Sequence, residues 1–304
     1  MPSIILRSTI PPANRPDTKS FWGKYEKLPK YSEQMFDPAT SDKNYENYTE
    51  IVGMGLTAEK PEGDSTSYDA ISQGYTTQGV NVAYSKGFII SREAKDDGRF
   101  LDMYERGIYA LGMSKYQTTE TLSANVLNRG YNSSYLGGDG VVLFSASHPT
   151  TDGTQSNTLS VAADFSETAV QDLSTQIDTA KDSAGNFISL QSQMLIGHPT
   201  LKFEFERLLK TTNRVDTAEN DINAIKSLGL FPKGYLCNPF LSTDTDAFFI
   251  KTSGVMEGLL HQLRTKLEFS KDNDFDTENE KYKMYWREKF FWVDWRCMYS
   301  GPGA

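Results

Sequence analysis

An α+β fold is predicted by two changes of hydrophobic period and by one long stretch with no period at all. Residues 48 to 90 alternate apolar and polar side chains in twos, whereas residues 99 to 128 step in threes and fours. Beyond them, short helical and short extended segments alternate loosely, as in a compact domain of mixed class. The 304-residue chain is longer than one hydrophobic core usually organises, so two modest domains with appendages are expected.

The first stretch is the aperiodic one. Six of the twelve prolines fall before residue 40, yet the segment carries Ile4, Ile5, Leu6, Ile10, Phe21, Trp22, Tyr25, Leu28, Tyr31, Met35 and Phe36. Disordered tails are poor in such groups. An arm that cannot bury itself is therefore expected, lying on partner subunits.

Strand periodicity follows. Tyr48, Glu50, Val52, Met54 and Leu56 share one face, Val80, Val82 and Tyr84 alternate likewise, and Phe88, Ile89 and Ile90 form a short apolar run. Between them lies the polar, glycine-punctuated TAEKPEGDSTSYDAISQGYTTQG. Two long strands with a tip are predicted, a projecting hairpin. Isolated hairpins are marginal in water and their edges invite pairing, so a second subunit is again the expected support.

Leu101, Tyr104, Ile108, Leu111, Leu122 and Val126 predict one long helix over Arg99–Asn128, ending at Gly130. Gly107 and Gly112 each cost about 1 kcal/mol there relative to alanine, which close packing of another element would explain. A short strand is expected at Val141–Phe144. A helix is expected from Asp164, which has capping-box spacing to Glu167, with Val170, Leu173 and Ile177 inward. A strand at Met194–Ile196 precedes Pro199, a first-turn proline for a helix carrying Leu201, Phe205 and Leu208. Strands are expected at Gly234–Cys237 and Ala247–Ile250, and the closing KYKMYWREKFFWVDWRCMY reads as a dense strand or strand pair.

Composition narrows function. Lys and Arg number 31 against 40 Asp and Glu, a net charge of −9, which is the wrong sign for gripping a phosphate backbone. Cys237 and Cys297 read as buried free thiols in a reducing compartment. The start MPSIILRSTIPP has too short an apolar run for a signal peptide, and no run approaches the roughly 20 apolar residues of a membrane span. A soluble protein made in a cytoplasm is expected.

Catalytic hardware is not found. There is no G-x-S-x-G elbow, and Ser145, His148 and Asp152, though close in sequence, read as a structural turn. Asp272, Asp274 and Asp276 imitate the start of a calcium loop, but Thr277 and Lys283 stand where glycine and glutamate are needed. GGDG at 137–140 lacks the Lys-Ser/Thr of a phosphate-binding loop, and the cysteines lack zinc-site spacing. Tyr285, Trp286, Phe290, Phe291, Trp292 and Trp295, interleaved with Arg287, Lys289 and Arg296, could stack bases. A core strand with one wet face explains the pattern equally, and the acidic chain favours it. No catalytic, cofactor-binding or metal-ligating residue is identified, and no cofactor is expected.

Three stretches carry a family resemblance. LFSASHPTTDGTQSNTLS (Leu143–Ser160) with the following ADFSETAVQDL, MLIGHPTLKFEFERLL (Met194–Leu209) and LFPKGYLCNPFLSTDTDAFFI (Leu230–Ile250) are similar to blocks of Mu-like phage major head proteins. With the order arm, hairpin, long helix, mixed domain and aromatic strands, the chain resembles tailed-bacteriophage major capsid proteins of the Hong Kong 97 fold.

The resemblance implies an N-terminal arm at 1–45 and an extended loop at 46–90. It implies a peripheral domain with a spine helix at 91–159, completed by return strands at 264–304, and an axial domain at 160–263. It also implies a structural subunit of an icosahedral head, self-assembling into hexamers and pentamers that enclose double-stranded DNA without specific binding. Further partners would be a portal protein, a separate scaffolding protein (no acidic helical block precedes the arm) and a cement protein, with assembly in the host bacterial cytoplasm and no membrane. Some relatives cross-link lysine to asparagine. Lys60 sits at the hairpin tip, but no partner asparagine or glutamate is matched, so cross-linking is not expected. The alternatives are a same-fold protein compartment, another virion component such as a tail subunit, and, in a different class, a hydrolase.

Overall fold

Two four-stranded sheets share one core, and the chain crosses between them repeatedly. The computed structural model describes residues 28–98, 100–213 and 221–303; Met1–Lys27 of the expected arm lie outside them.

After Pro29 a single helical turn, α1 (Ser32–Met35), and a short strand, β1 (Asp37–Thr40), carry the chain across the core. The projecting ribbon is β2 (Tyr45–Val52) with β3 (Ser72–Val80), antiparallel from Tyr45 opposite Val80 to Val52 opposite Ser72. The ribbon's return strand is thus earlier than expected. β4 (Val82–Ile90) leaves it and pairs along its length with residues 280–288. Asn81 makes the break. Its amide donates to Ser41 Oγ and Lys43 O and accepts from Gln262 Nε2, at 2.9–3.0 Å. Alternation runs through this residue unbroken because both of its neighbours are strands.

Ser91 caps α2 (Arg92–Asp96), and α3 (Phe100–Asn128) is the long helix, 29 residues and about 43 Å. Gly107 is where it meets the sheet: a Cβ there would stand 2.5 Å from the Phe88 ring. The connector contains β5 (His148–Thr150) and β6 (Gly153–Gln155), a short hairpin. At the strand expected over Val141–Phe144 there is one bridge, from Val142 to Leu136; Leu143 and Phe144 are apolar because they enter the core. α4 (Glu167–Asp178) is capped by Ser166, whose Oγ accepts from Ala169 N at 3.2 Å, rather than by Asp164. Val170, Leu173 and Ile177 are fully buried, as their spacing requires.

β7 (Gln191–Gly197) leads through a 3-10 turn at Pro199–Leu201 into α5 (Lys202–Lys210). α6 (Ala224–Leu228), β8 (Tyr235–Cys237) and β9 (Phe248–Ser253) follow. The last third is β10 (Leu259–Asn273), β11 (Glu280–Trp292) and β12 (Met298–Gly301). β10 has no clear sequence signal. Register shifts on either side of Thr265 break its period, and its outer half is exposed.

The first sheet has the order β1-β10-β11-β4, with α3 on one face; the second has the order β12-β9-β7-β8, with α4 and α5 against it. Met35, Leu127, Phe144, Ile196, Phe249, Phe290 and Trp295 pack into one cluster, so elements of both sheets contribute to the main core.

Candidate assembly surfaces

The extended loop is the most exposed part of the described chain. Between β2 and β3, residues 53–71 form no regular structure and all are exposed. Large apolar groups are among them: Leu56 is 88% exposed, Tyr68 92% and Ile71 65%. The loop's neck is closed by Gly55 N donating to Asp69 Oδ2 at 2.9 Å and by Asn186 Nδ2 donating to Met54 O at 3.2 Å.

Its root is clamped. Arg296 is buried over the Trp295 ring; its Nε donates to Lys181 O at 2.9 Å and its Nη2 to Ser183 Oγ at 3.2 Å. Nη1 reaches Asp294 Oδ1 at 3.3 Å and Glu50 Oε1 of β2 at 3.5 Å, and Ser183 Oγ also donates to Glu50. Burial pushes the Asp294 carboxyl up, opposed by Arg296. On the other side the ribbon rests on the first sheet, with the Tyr48 and Phe291 rings 5.6 Å apart and Gln262 Nε2 donating to Gly79 O at 3.1 Å. The sequence reading missed Arg296 and Glu50 as a pair. The only signal was a charge set in the apolar run FFWVDWRC.

The base of the arm behaves differently. Tyr116 OH donates to Pro29 O at 2.7 Å, and Glu120 accepts from Ser32 N at 2.9 Å and Ser32 Oγ at 2.8 Å. Lys251 Nζ donates to Met35 O at 2.7 Å, while Phe36 meets Phe290 edge to face at 5.1 Å. Burial raises the Glu120 carboxyl, and the Ser32 hydrogen bonds pull it partly back. The expectation that all of Met1–Tyr45 needs a partner's support is therefore corrected: from Pro29 to Thr40 the arm lies in its own subunit's core and first sheet.

The residues weighed for chemistry find structural places. His148 is fully buried and stacked 4.3 Å from Trp295; its Nδ1 lies 2.6 Å from Asp139 Oδ2 and its Nε2 3.2 Å from Asn157 Oδ1. Ser145 and Asp152 are not its partners: Ser145 N donates to Asn157 Oδ1, and its Oγ accepts from Ser147 N. Asn157 Nδ2 donates to Leu143 O at 2.7 Å and Met298 O at 3.1 Å, so the cluster pins the connector to the closing strands. His198 caps its 3-10 turn, and His261 lies 3.0 Å from Glu288.

GGDG is a tight turn on the Trp292 ring, with Gly137 N donating to Val141 O at 2.8 Å. Asp272 pairs with Lys281 at the end of β10, and Asp274 and Asp276 fall in the β10–β11 turn, where Lys281 bonds Asp274 and holds its carboxyl low. Among the described residues no group of three or more acidic, histidine or cysteine side chains could hold a metal ion. Cys237 is half-buried and Cys297 buried, and burial raises both thiols. Trp286, Phe290, Phe291, Trp292 and Trp295 are buried, as in the core-strand reading of the aromatic run. No helix of the described residues is long and apolar enough to cross a membrane.

These surfaces and this fold can be set beside known proteins. The family model described as phage capsid protein matches residues 75–301, about three-quarters of the sequence. The chain belongs to the phage capsid protein family. It is a structural, non-enzymatic subunit of a phage head and a component of the virion capsid.

No curated protein matches the sequence. Among solved structures, the capsid of the cyanophage P-SCSP1u is similar with a TM-score of 0.55 at 9% identity, covering 89% of this chain and 86% of that one. The virus-like particle from Pyrococcus furiosus gives 0.54 at 10% identity, covering 93% and 97%. Microbacterium phage Oxtober96 gives 0.52 at 9% identity, covering 100% and 96%. At such identities the likeness is one of fold, and the mixed architecture fits the Hong Kong 97-type expectation.

Proposed function

We propose that the capsid chain closes in rings of six and of five into an icosahedral shell around double-stranded DNA. The observation that carries this reading is the uncovered apolar side chains of the extended loop, Leu56, Tyr68 and Ile71. Burying each would contribute about 1.5–3 kcal/mol, and a second copy is the occupant that closed symmetry supplies. Many moderate contacts of this kind make a shell far more stable than any pair.

In this reading the first sheet with α3 forms the peripheral domain and the second sheet with α4 and α5 the axial domain. The border between them then falls before Leu259 rather than after Leu263, since β10 is one strand, and the extended loop ends at Val80. Portal, scaffolding and cement proteins would be further partners, with assembly in the host cytoplasm. Within the family, the Mu-like assignment rests on the three sequence stretches alone. Electron microscopy of the purified chain is the test: closed particles or capsomers are expected, and a compact monomer at high concentration would overturn the reading.

The virus-like particle from Pyrococcus furiosus has the same fold, and a second reading is a shell of this fold closed around a protein cargo. Co-purification of a protein cargo instead of nucleic acid would select it.

A further inference from the structure

We propose that the cavity between the end of α3, the root of the ribbon and β11 binds a small oxyanion of the phosphate class, held by Lys289 and Arg129. The inference concerns the single subunit and goes beyond the shell reading, on which it does not depend.

The cavity exists because the ribbon leaves the sheet. β4 borders β11 only as far as Val82 opposite Glu288, and residues 289–292 of β11 have no strand on that side among the described residues. The gap beside them is walled by Thr77 of β3, by Asn125 and Arg129 at the end of α3, and by the turn at 135–137. Gly137 lies against the Trp292 ring, where a Cβ would stand 1.9 Å away, so the turn closes one side. The cavity measures about 260 Å³. That is room for several waters or one small ion, and less than drug-sized ligands occupy.

The charges select the occupant. No acidic residue lines the cavity, yet two cations do. Lys289 is half-buried, and Arg129 stands exposed at the rim with its guanidinium 4.5 Å over the Tyr135 ring. Neither has an ion-pair partner among the described residues. Burial, then the charge of Arg129, pushes the Lys289 ammonium down, and no acid acts the other way. The acid of the neighbouring turn, Asp139, is taken by His148 and by Val141 N. A helix C-terminus accounts for Arg129 through its dipole, but not for a lysine drawn in beside it. Like charges brought together out of water are destabilising unless a counter-charge joins them. Thr77 supplies an independent observation: it is 8% exposed, and its Oγ1 is buried without a hydrogen-bond partner. A guanidinium fork, an ammonium and an unmet hydroxyl can all donate, which suits a tetrahedral oxyanion and no cation.

Thermal melting and calorimetry of the full chain test the site, with inorganic phosphate set against chloride at equal ionic strength. Phosphate is expected to raise the melting temperature saturably. Lys289→Met and Arg129→Gln are each expected to weaken phosphate binding at least about ten-fold, as loss of a charge-assisted hydrogen bond does. Thr77→Val is expected to weaken it about three-fold. Without phosphate, Lys289→Met should melt no lower than the parent, because the ammonium has no ion pair to lose. Arg129 is exposed, so its variant tests the site even if Lys289→Met does not fold. Lys281→Met, on the same strand but outside the cavity, should bind phosphate like the parent. No stabilisation by phosphate beyond chloride, undiminished binding in the cavity variants, or an equal loss in Lys281→Met would overturn the proposal and leave the shell reading untouched. A short DNA duplex that displaces phosphate would assign the bound group to a nucleic-acid strand, and failure to displace it to the free anion; both results retain the cavity as the site.

Discussion

The base of the arm and the extended loop look alike as sequence and end in opposite places. Both carry large apolar groups between turn residues and neither has a helical period. Yet Met35 is wholly buried and Phe36 nearly so, whereas Leu56 and Tyr68 stand almost fully in solvent. Composition says only that such a stretch must lie on something. What decides whether that support is its own subunit is where the backbone groups go. At the arm base, Pro29 O, Ser32 N and Met35 O are each taken by a side chain of α3 or β9, namely Tyr116, Glu120 and Lys251. Residues 53–71 belong to no strand or helix, and all of them are exposed to water.

The contrast can be broken most directly at Phe36. Phe36→Ala removes a ring from the main core, where its partner Phe290 is also buried, and should cost about 3–5 kcal/mol in urea unfolding. A loss below about 1 kcal/mol would mean that the arm base does not belong to the core. For the same reason, cutting the chain after Lys27 should leave a folded subunit. Cutting after Tyr45 removes Met35, Phe36 and β1 and should not.

A second, smaller effect sharpens the contrast by asking how buried charge is held. Burial alone raises Glu280, but hydrogen bonds from Lys95, Tyr282 and Lys271 outweigh it and bring the carboxyl down to about 2. A folded-state value below the unfolded value of 4.5 means that this stabilisation is complete above pH 4.5 and is lost as pH falls towards 2. Glu280→Gln should therefore cost about 2 kcal/mol at pH 7 and nothing near pH 2, read from melting across that range. Glu120, under the arm, is shifted the other way by burial, so its contribution is present at low pH and falls as pH rises through its folded-state value. A Glu280→Gln difference independent of pH would remove the ion cluster from the account.

Much of this architecture was legible before the structure. The step-of-three-and-four pattern located α3 to within a residue, and Pro199 marked the turn into α5. The readings that failed share one cause, a local signal overruled by a tertiary partner. Val82–Ile90 alternates as a hairpin strand should, but Asn81 hands it to β11. β10 was invisible because its two register shifts scramble the alternation and its outer residues are wet on both sides. The Arg296–Glu50 clamp joins residues 246 apart in sequence, and neither sits in a recognisable motif. Arg287 and Lys289 read as the wet side of a core strand and are half-buried there, whereas Arg296 of the same set is buried in the clamp.

The smallest effect on folding separates the two regions most cleanly. Leu56→Ser and Tyr68→Ser change side chains with almost no contact inside the subunit, so each should shift monomer stability by less than about 0.5 kcal/mol. In the shell the same changes remove apolar burial at every copy of the contact, and assembly should fail although folding does not. Hydrogen exchange carries the comparison to the backbone. In dilute monomer, amides of residues 53–71 should exchange rapidly while those of Phe36 and Ser41, bonded to Ser32 O and Leu263 O, are protected, and only the loop should gain protection on assembly. A loop already protected in the monomer would mean that it folds onto its own subunit. Arm-base amides that become protected only in particles would mean that the core cluster around Met35 is a product of assembly.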